Sequence, residues 1–203
     1  MPITINGSGT VTGVSVGGLP DGIVDTDMLA NGAVTATKRG AGAILQVVQF
    51  RKTDTFSSSN NGFVDIGVAV DITPIAAGSK ILIYAGYSGY TVKGSGGAGK
   101  IVRTIGGSAQ DIGKADAASA RNVSSFSGHL YTADGSNSNL MSLAAHTQLL
   151  DTPTYSVGNT INYKIQCHPE NHELRINYQE NDVDNTGDGN RTTSYITCME
   201  VAA

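Results

Sequence analysis

Residues 80 to 105 read KILIYAGYSGYTVKGSGGAGKIVRTI. Their glycine-rich centre spells G-x-G-x-x-G through Gly94, Gly96 and Gly99, and G-x-x-x-x-G-K through Gly94, Gly99 and Lys100. Either pattern belongs to an α/β domain in which the loop runs from a strand into a helix, so that backbone N–H groups face phosphates. Here Ile101 stands where a magnesium-binding Ser or Thr belongs, and the IVRTI that follows is a β-branched strand former. The dinucleotide pattern also lacks its βαβ surroundings. With strand character on both sides, the glycines read as a hairpin loop in a β protein, and no nucleotide cofactor is expected.

The period-two pattern extends outward from this stretch to most of the chain. From about Ala43 onward, short runs rich in Val, Ile, Tyr, Phe and Thr alternate with clusters of turn formers such as SSSNN, DGSNSN and NDVDNTGDGN. Ile161, Tyr163, Ile165 and Cys167 fall on one face of a strand, as do Leu174, Ile176 and Tyr178, with Pro169 to His172 as a hairpin turn between them. Eight or nine such strands predict a mainly β, antiparallel sandwich or barrel. Helix is an alternative only at ASARNVS and LMSLAAHTQLL, where Leu, Met and Ala favour it.

Residues 1–42 differ in kind. They hold no aromatic side chain, and their apolar residues stand singly or in pairs between Gly, Thr, Ser and Asn. DTDMLANG predicts one short helix, with Asp25 or Thr26 as N-cap and Asn31-Gly32 as its stop. A helix that short must bury Met28 and Leu29 against something else, and another chain is the expected partner. The predicted division is therefore an extended, Gly-rich segment at 1–42 and a β domain at 43–203.

Composition narrows the function. Charged residues are 15% of the chain against a usual ~25%, and Gly supplies 26 of 203 residues, about twice its usual share. A net charge of −4 without clustered Lys and Arg gives no footprint for nucleic acid or an anionic membrane. Neither a secretory signal nor a membrane span is expected, because no basic start with an apolar core follows Met1 and no window approaches ~20 apolar residues. Cys167 and Cys198 are too few for a disulfide scaffold and read as buried small apolar residues.

Reactive constellations fall away for stated reasons. His168 and His172 have helical zinc spacing, but Pro169 removes the helix. Asp182, Asp184 and Asp188 lie in a loop that has Thr193 where a calcium loop closes with Glu, so no metal is expected. No nucleophile elbow supports a triad, and Asp65, Asp71, Asp111 and Glu173 show no spacing that nominates a glycosidase pair. An enzyme is not expected. Tyr84, Tyr87, Tyr90 and Tyr131 are the candidates for sugar stacking, against the alternative that they fill the core or an interface.

The phrase DGIVDTDMLANGAVTATK, followed closely by ILQVVQ, resembles the fibre-to-domain junction of tail-fibre-like and spike-like virion proteins of tailed phages, of the marine or cyanobacterial type. The closing stretch ELRINYQENDVDNTGDGNRTTSYITCMEV is similar to the end of their β domain. The resemblance implies a jelly-roll-like sandwich on a homotrimer whose N-terminal segments wind about a shared axis, with Ile23, Met28, Leu29 and Val34 in the inter-chain core. It further implies docking to other virion proteins through residues 1–42, a place in the virion after synthesis in the host cytoplasm, and host surface glycan as a candidate contact. A capsid decoration or head-fibre protein, and a carbohydrate-binding module in its own right, are the alternatives.

Overall fold

The three-dimensional structure is a computed structural model, and it describes residues 4–5, 11–12, 29–35, 38–91, 96–117, 119–129, 141–169, 173–177 and 191–203. The chain divides into two compact units, Met1–Arg39 and Gly40–Ala203. The second unit begins at Gly40 because residues 40–43 are already stitched to the chain's far end. The Gly42 N–H donates to the Ala202 carbonyl and the Ala202 N–H to the Ala43 carbonyl, both at 2.9 Å.

In the first unit β1 (Thr4–Ile5) pairs antiparallel with β2 (Val11–Thr12). The expected helix falls mostly on residues outside the described set, as do Ile23 and Met28. Its described end, from Leu29, is a turn in which the Ala33 N–H donates to the Ala30 carbonyl at 2.9 Å.

The second unit is mainly β and wholly antiparallel in its pairing, with no α-helix among the described residues. Its strands are β3 (Ile44–Lys52), β4 (Phe56–Ser58), β5 (Val64–Ile72), β6 (Lys80–Thr91), β7 (Gly96–Ile105), β8 (Ser108–Ile112), β9 (Phe126–His129), β10 (Met141–Asp151), β11 (Ile161–Pro169), β12 (Leu174–Ile176) and β13 (Ser194–Val201). A larger sheet forms around β6, with β10 along one edge and β13 followed by β12 along the other, and β3 and β4 lie beyond these. A smaller sheet runs β5-β11-β7-β8, with β9 also on β7.

The core lies between the sheets, as in a β-sandwich. Alternate residues Ile81, Ile83, Ala85 and Tyr87 of β6, and Ile161, Tyr163, Ile165 and Cys167 of β11, are fully buried there in one cluster with Ile196 and Cys198. Each buried aliphatic side chain contributes roughly 1.5–3 kcal/mol. Both cysteines are free and buried, and burial raises both thiols, that of Cys198 to about 12.

Several expectations are corrected. LMSLAAHTQLL is strand, because β10 pairs with β6 from Met141↔Thr91 to Asp151↔Ile81 and tertiary pairing overrides helical propensity. The described part of ASARNVS contains no helix either. The glycine stretch is no hairpin loop: β6 and β7 belong to different sheets, and Gly96 to Gly99 are already strand, paired with β9 and β11. Glycine is required at 99, where a Cβ would come within 2.6 Å of the Phe126 ring. The turn expected at Pro169 to His172 likewise joins the smaller sheet to the larger, since β11 pairs with β5 and β7 while β12 pairs with β4 and β6.

One residue that pattern reading passes over cross-links the strands of the larger sheet. Asn177 sits at φ 64°, a left-handed conformation that Asn tolerates better than most. Its buried carboxamide donates to the carbonyls of Lys52 (3.0 Å) and Asp54 (2.9 Å) and accepts from the Ser194 hydroxyl (2.7 Å). It thereby ties the break between β3 and β4 to the start of β13.

Candidate assembly surface

Strands with apolar residues at both parities have two faces to cover. In β3 the sequence ILQVVQF places Val48 against the core and Val47 on the opposite face, and Leu82, Met199 and Leu150 share that outer face on β6, β13 and β10. Cross-strand register aligns them in one row: Val47 opposite Met199, Met199 opposite Leu82, and Leu82 opposite Leu150. Val47 is 54% and Leu150 48% exposed, while Leu82 and Met199 are half-buried. Ile44 and Phe50 add exposed apolar surface along the same edge strand.

The next rows are polar without being acidic. Gln49, Thr197, Tyr84 and Gln148 form the second, where the Gln49 amide donates to the Thr197 hydroxyl at 2.7 Å. Arg51, Tyr195, Gly86 and His146 form the third. There the His146 and Tyr195 rings stack at 6.0 Å between centroids, with the tyrosine oxygen 3.4 Å from Nδ1. Glycine at 86 leaves the space the imidazole crosses, since a Cβ there would collide with His146 Nδ1.

Of the tyrosines considered for sugar stacking, two are closed to a ligand. Tyr87 is wholly buried, packs against Phe126 at 5.7 Å and donates to the Gly97 carbonyl at 2.6 Å. Tyr90 is 7% exposed, so neither ring offers an open face to a sugar. Tyr84 is half-buried in the second outer row, and Tyr131 lies outside the described residues. Of the four residues expected in an inter-chain core, Leu29 and Val34 are described, and each is nearly half exposed, at 47% and 46%.

The acids considered for glycan cleavage each hold a partner. Asp65 accepts from Lys164 (2.8 Å) and Gln166 (2.6 Å), and Asp71 accepts from Asn162 (2.7 Å). Asp111 pairs with Lys100 and Lys114, and Glu173 pairs with Arg175. Burial alone would raise the Asp65 carboxyl, but the bonds from Lys164 and Gln166 outweigh it and hold it below its ordinary range. Among the described residues no three His, Cys, Asp or Glu side chains gather as a metal site, and His172 and the aspartates of residues 182–188 lie outside that set.

Two buried charges serve the fold. Glu200 is fully buried and accepts from the Ile75 and Ala76 N–H groups, the Ser79 hydroxyl and the Gln46 amide, bracing the crossing from β5 to β6. Burial pushes its carboxyl up, and these donors more than reverse that and hold it low. Arg103 of the smaller sheet grips both oxygens of Asp151 on β10 at 2.7 and 2.8 Å, and Tyr163 donates to the same carboxylate at 2.7 Å. No family model matches this chain, and no curated protein matches it.

Proposed function

We propose that this chain is a non-enzymatic structural protein of a tailed-phage virion, a homotrimeric short fibre or spike whose three β domains pack about a common axis. The observation that carries the reading is the apolar row Val47, Met199, Leu82 and Leu150, exposed at both ends and half-buried between, which crosses four strands of the larger sheet. Contiguous exposed apolar surface on a domain face marks a protein contact. Because residues of one row sit at one level along the strands, an axis parallel to the strands brings apolar row against apolar row in every copy.

The order of the strands favours a jelly roll. Taking the long strands in chain order, β3, β6, β10 and β13 fall in one sheet and β5, β7, β8 and β11 in the other, giving the four-strand orders β3-β13-β6-β10 and β5-β11-β7-β8. In this reading the extended Gly-rich segment of residues 1–42 winds with its two copies, Ile23, Met28, Leu29 and Val34 face the shared axis, and the same segment docks onto other virion proteins. The half-exposed state of Leu29 and Val34 in a single chain supports that role.

Light scattering on the full chain is expected to give three times the 20.9 kDa chain mass. Removing residues 1–42 is expected to weaken the trimer, and Leu150→Glu to dissociate it. A full-length chain that stays monomeric would overturn the reading.

A further inference from the structure

Away from the assembly surface, residues 113–117 and 119–125 cross the outer side of the smaller sheet and leave a cleft of about 500 Å³ beneath them. Among the described residues its polar lining is Asn61, Arg121, Asn122, Ser124, Ser127 and His168, with Ala98 and Ala120 beside them. The connection is pinned in place. The Ser125 N–H donates to the Gly99 carbonyl (2.8 Å), its hydroxyl donates to the Ile112 carbonyl (2.8 Å), and the Ala115 N–H donates to the Ser124 carbonyl (3.2 Å). The cleft is therefore preformed, and its volume lies within the ~300–1,000 Å³ of small-ligand sites.

His168 lies beneath the connection at 7% exposure, edge-on to Phe63 with ring centroids 5.4 Å apart. Its Nε2 is 3.4 Å from the Asn122 amide nitrogen, and its buried Nδ1 has no partner among the described residues. Arg121, exposed on the rim, has no hydrogen bond or ion pair among the described residues. A second cleft, of about 560 Å³, differs in this respect, because its Arg103 is already committed to Asp151.

We infer that the cleft under residues 113–125 binds an acidic saccharide unit, a hydroxylated ring carrying one carboxylate or sulfate. Two carboxamides and two serine hydroxyls each offer donors and acceptors, the pairing that adjacent ring hydroxyls require. The guanidinium fork matches a carboxylate or sulfate, and among the described residues no acidic side chain lines the cleft to repel it. The inference stands apart from the virion reading, because a single chain supplies every lining group.

Isothermal titration of the full chain with glucuronic acid, galactose 6-sulfate and galactose tests it, with amide shifts at Ala98, Asn122 and Ser127 locating the ligand. One or both acidic sugars are expected to bind at least about tenfold more tightly than galactose, and Arg121→Ala to remove that advantage. Because Arg121 is exposed, this variant keeps the fold, which its far-ultraviolet spectrum checks. Which acid binds better identifies the anionic group. Equal binding of galactose, unchanged affinity in Arg121→Ala, shifts elsewhere in the domain, or no binding of any of the three would overturn the inference.

Discussion

The outer faces of the two sheets are built from the same antiparallel geometry and are furnished in opposite ways. On the smaller sheet, Asp65, Lys164 and Gln166 form one charged lattice and Lys100, Asp111 and Lys114 another, with Asn162 on Asp71 at the far end. On the larger sheet, the three rows running from Val47, Gln49 and Arg51 across to Leu150, Gln148 and His146 contain no carboxylate, and one row is wholly apolar. Water suits the first face and leaves the second unsatisfied, so a difference in side chains alone distinguishes a solvated wall from a contact surface.

The comparison breaks most sharply at Leu150. Leu150→Glu places a charge in the apolar row and is expected to weaken self-association by about 3 kcal/mol or more, read by sedimentation, while changing chain stability by less than about 0.5 kcal/mol. Lys164→Glu, on the opposite face, is expected to leave association untouched. If both variants dissociate the assembly equally, the two faces do not differ in role.

The joint between the sheets comes next. Glu200→Ala removes the acceptor shared by four donors, of which the Ser79 hydroxyl is buried, and is expected to cost about 2–3 kcal/mol in chemical denaturation. The sign of the accompanying pH effect follows from the lowered folded pKa of Glu200. The unfolded chain binds the proton more readily, so this stabilisation is fully present above the ordinary carboxyl range and is lost as pH falls through the folded value. Wild type is expected to lose melting temperature in acid more steeply than Glu200→Gln, and parallel curves would contradict the assignment.

Smaller effects sharpen the picture. Gly86→Ala should displace His146 from Tyr195 and cost about 1 kcal/mol, visible as a changed His146 ring signal. Asp65→Asn is expected to cost less than about 1 kcal/mol, because its ion pair with Lys164 is partly solvated, and the loss should shrink further in high salt.

Strand character was legible because period two is local. Ile161, Tyr163, Ile165 and Cys167 can be assigned to one face from the sequence alone, and all four are buried. Partner choice was not legible, because it depends on contacts far along the chain. The fit of Phe126 over Gly99 and the bracing of the β5 to β6 crossing by Glu200 have no local signature. Tyr87 misled because an aromatic on a strand looks the same whether it fills a core, as this one does, or faces outward. The assembly row did leave a signal: consecutive apolar residues such as Val47-Val48 mean that both faces of β3 carry apolar groups. His168 drew notice for its spacing to His172, whereas its surroundings come from Asn122 and Phe63, which the sequence does not place beside it.

Sedimentation equilibrium of the full chain beside Leu150→Glu tests the central claim most directly. A trimer for wild type and a folded monomer for the variant are expected. A monomeric wild type, or a trimer that Leu150→Glu leaves intact, would contradict the claim that the outer face of the larger sheet joins the copies.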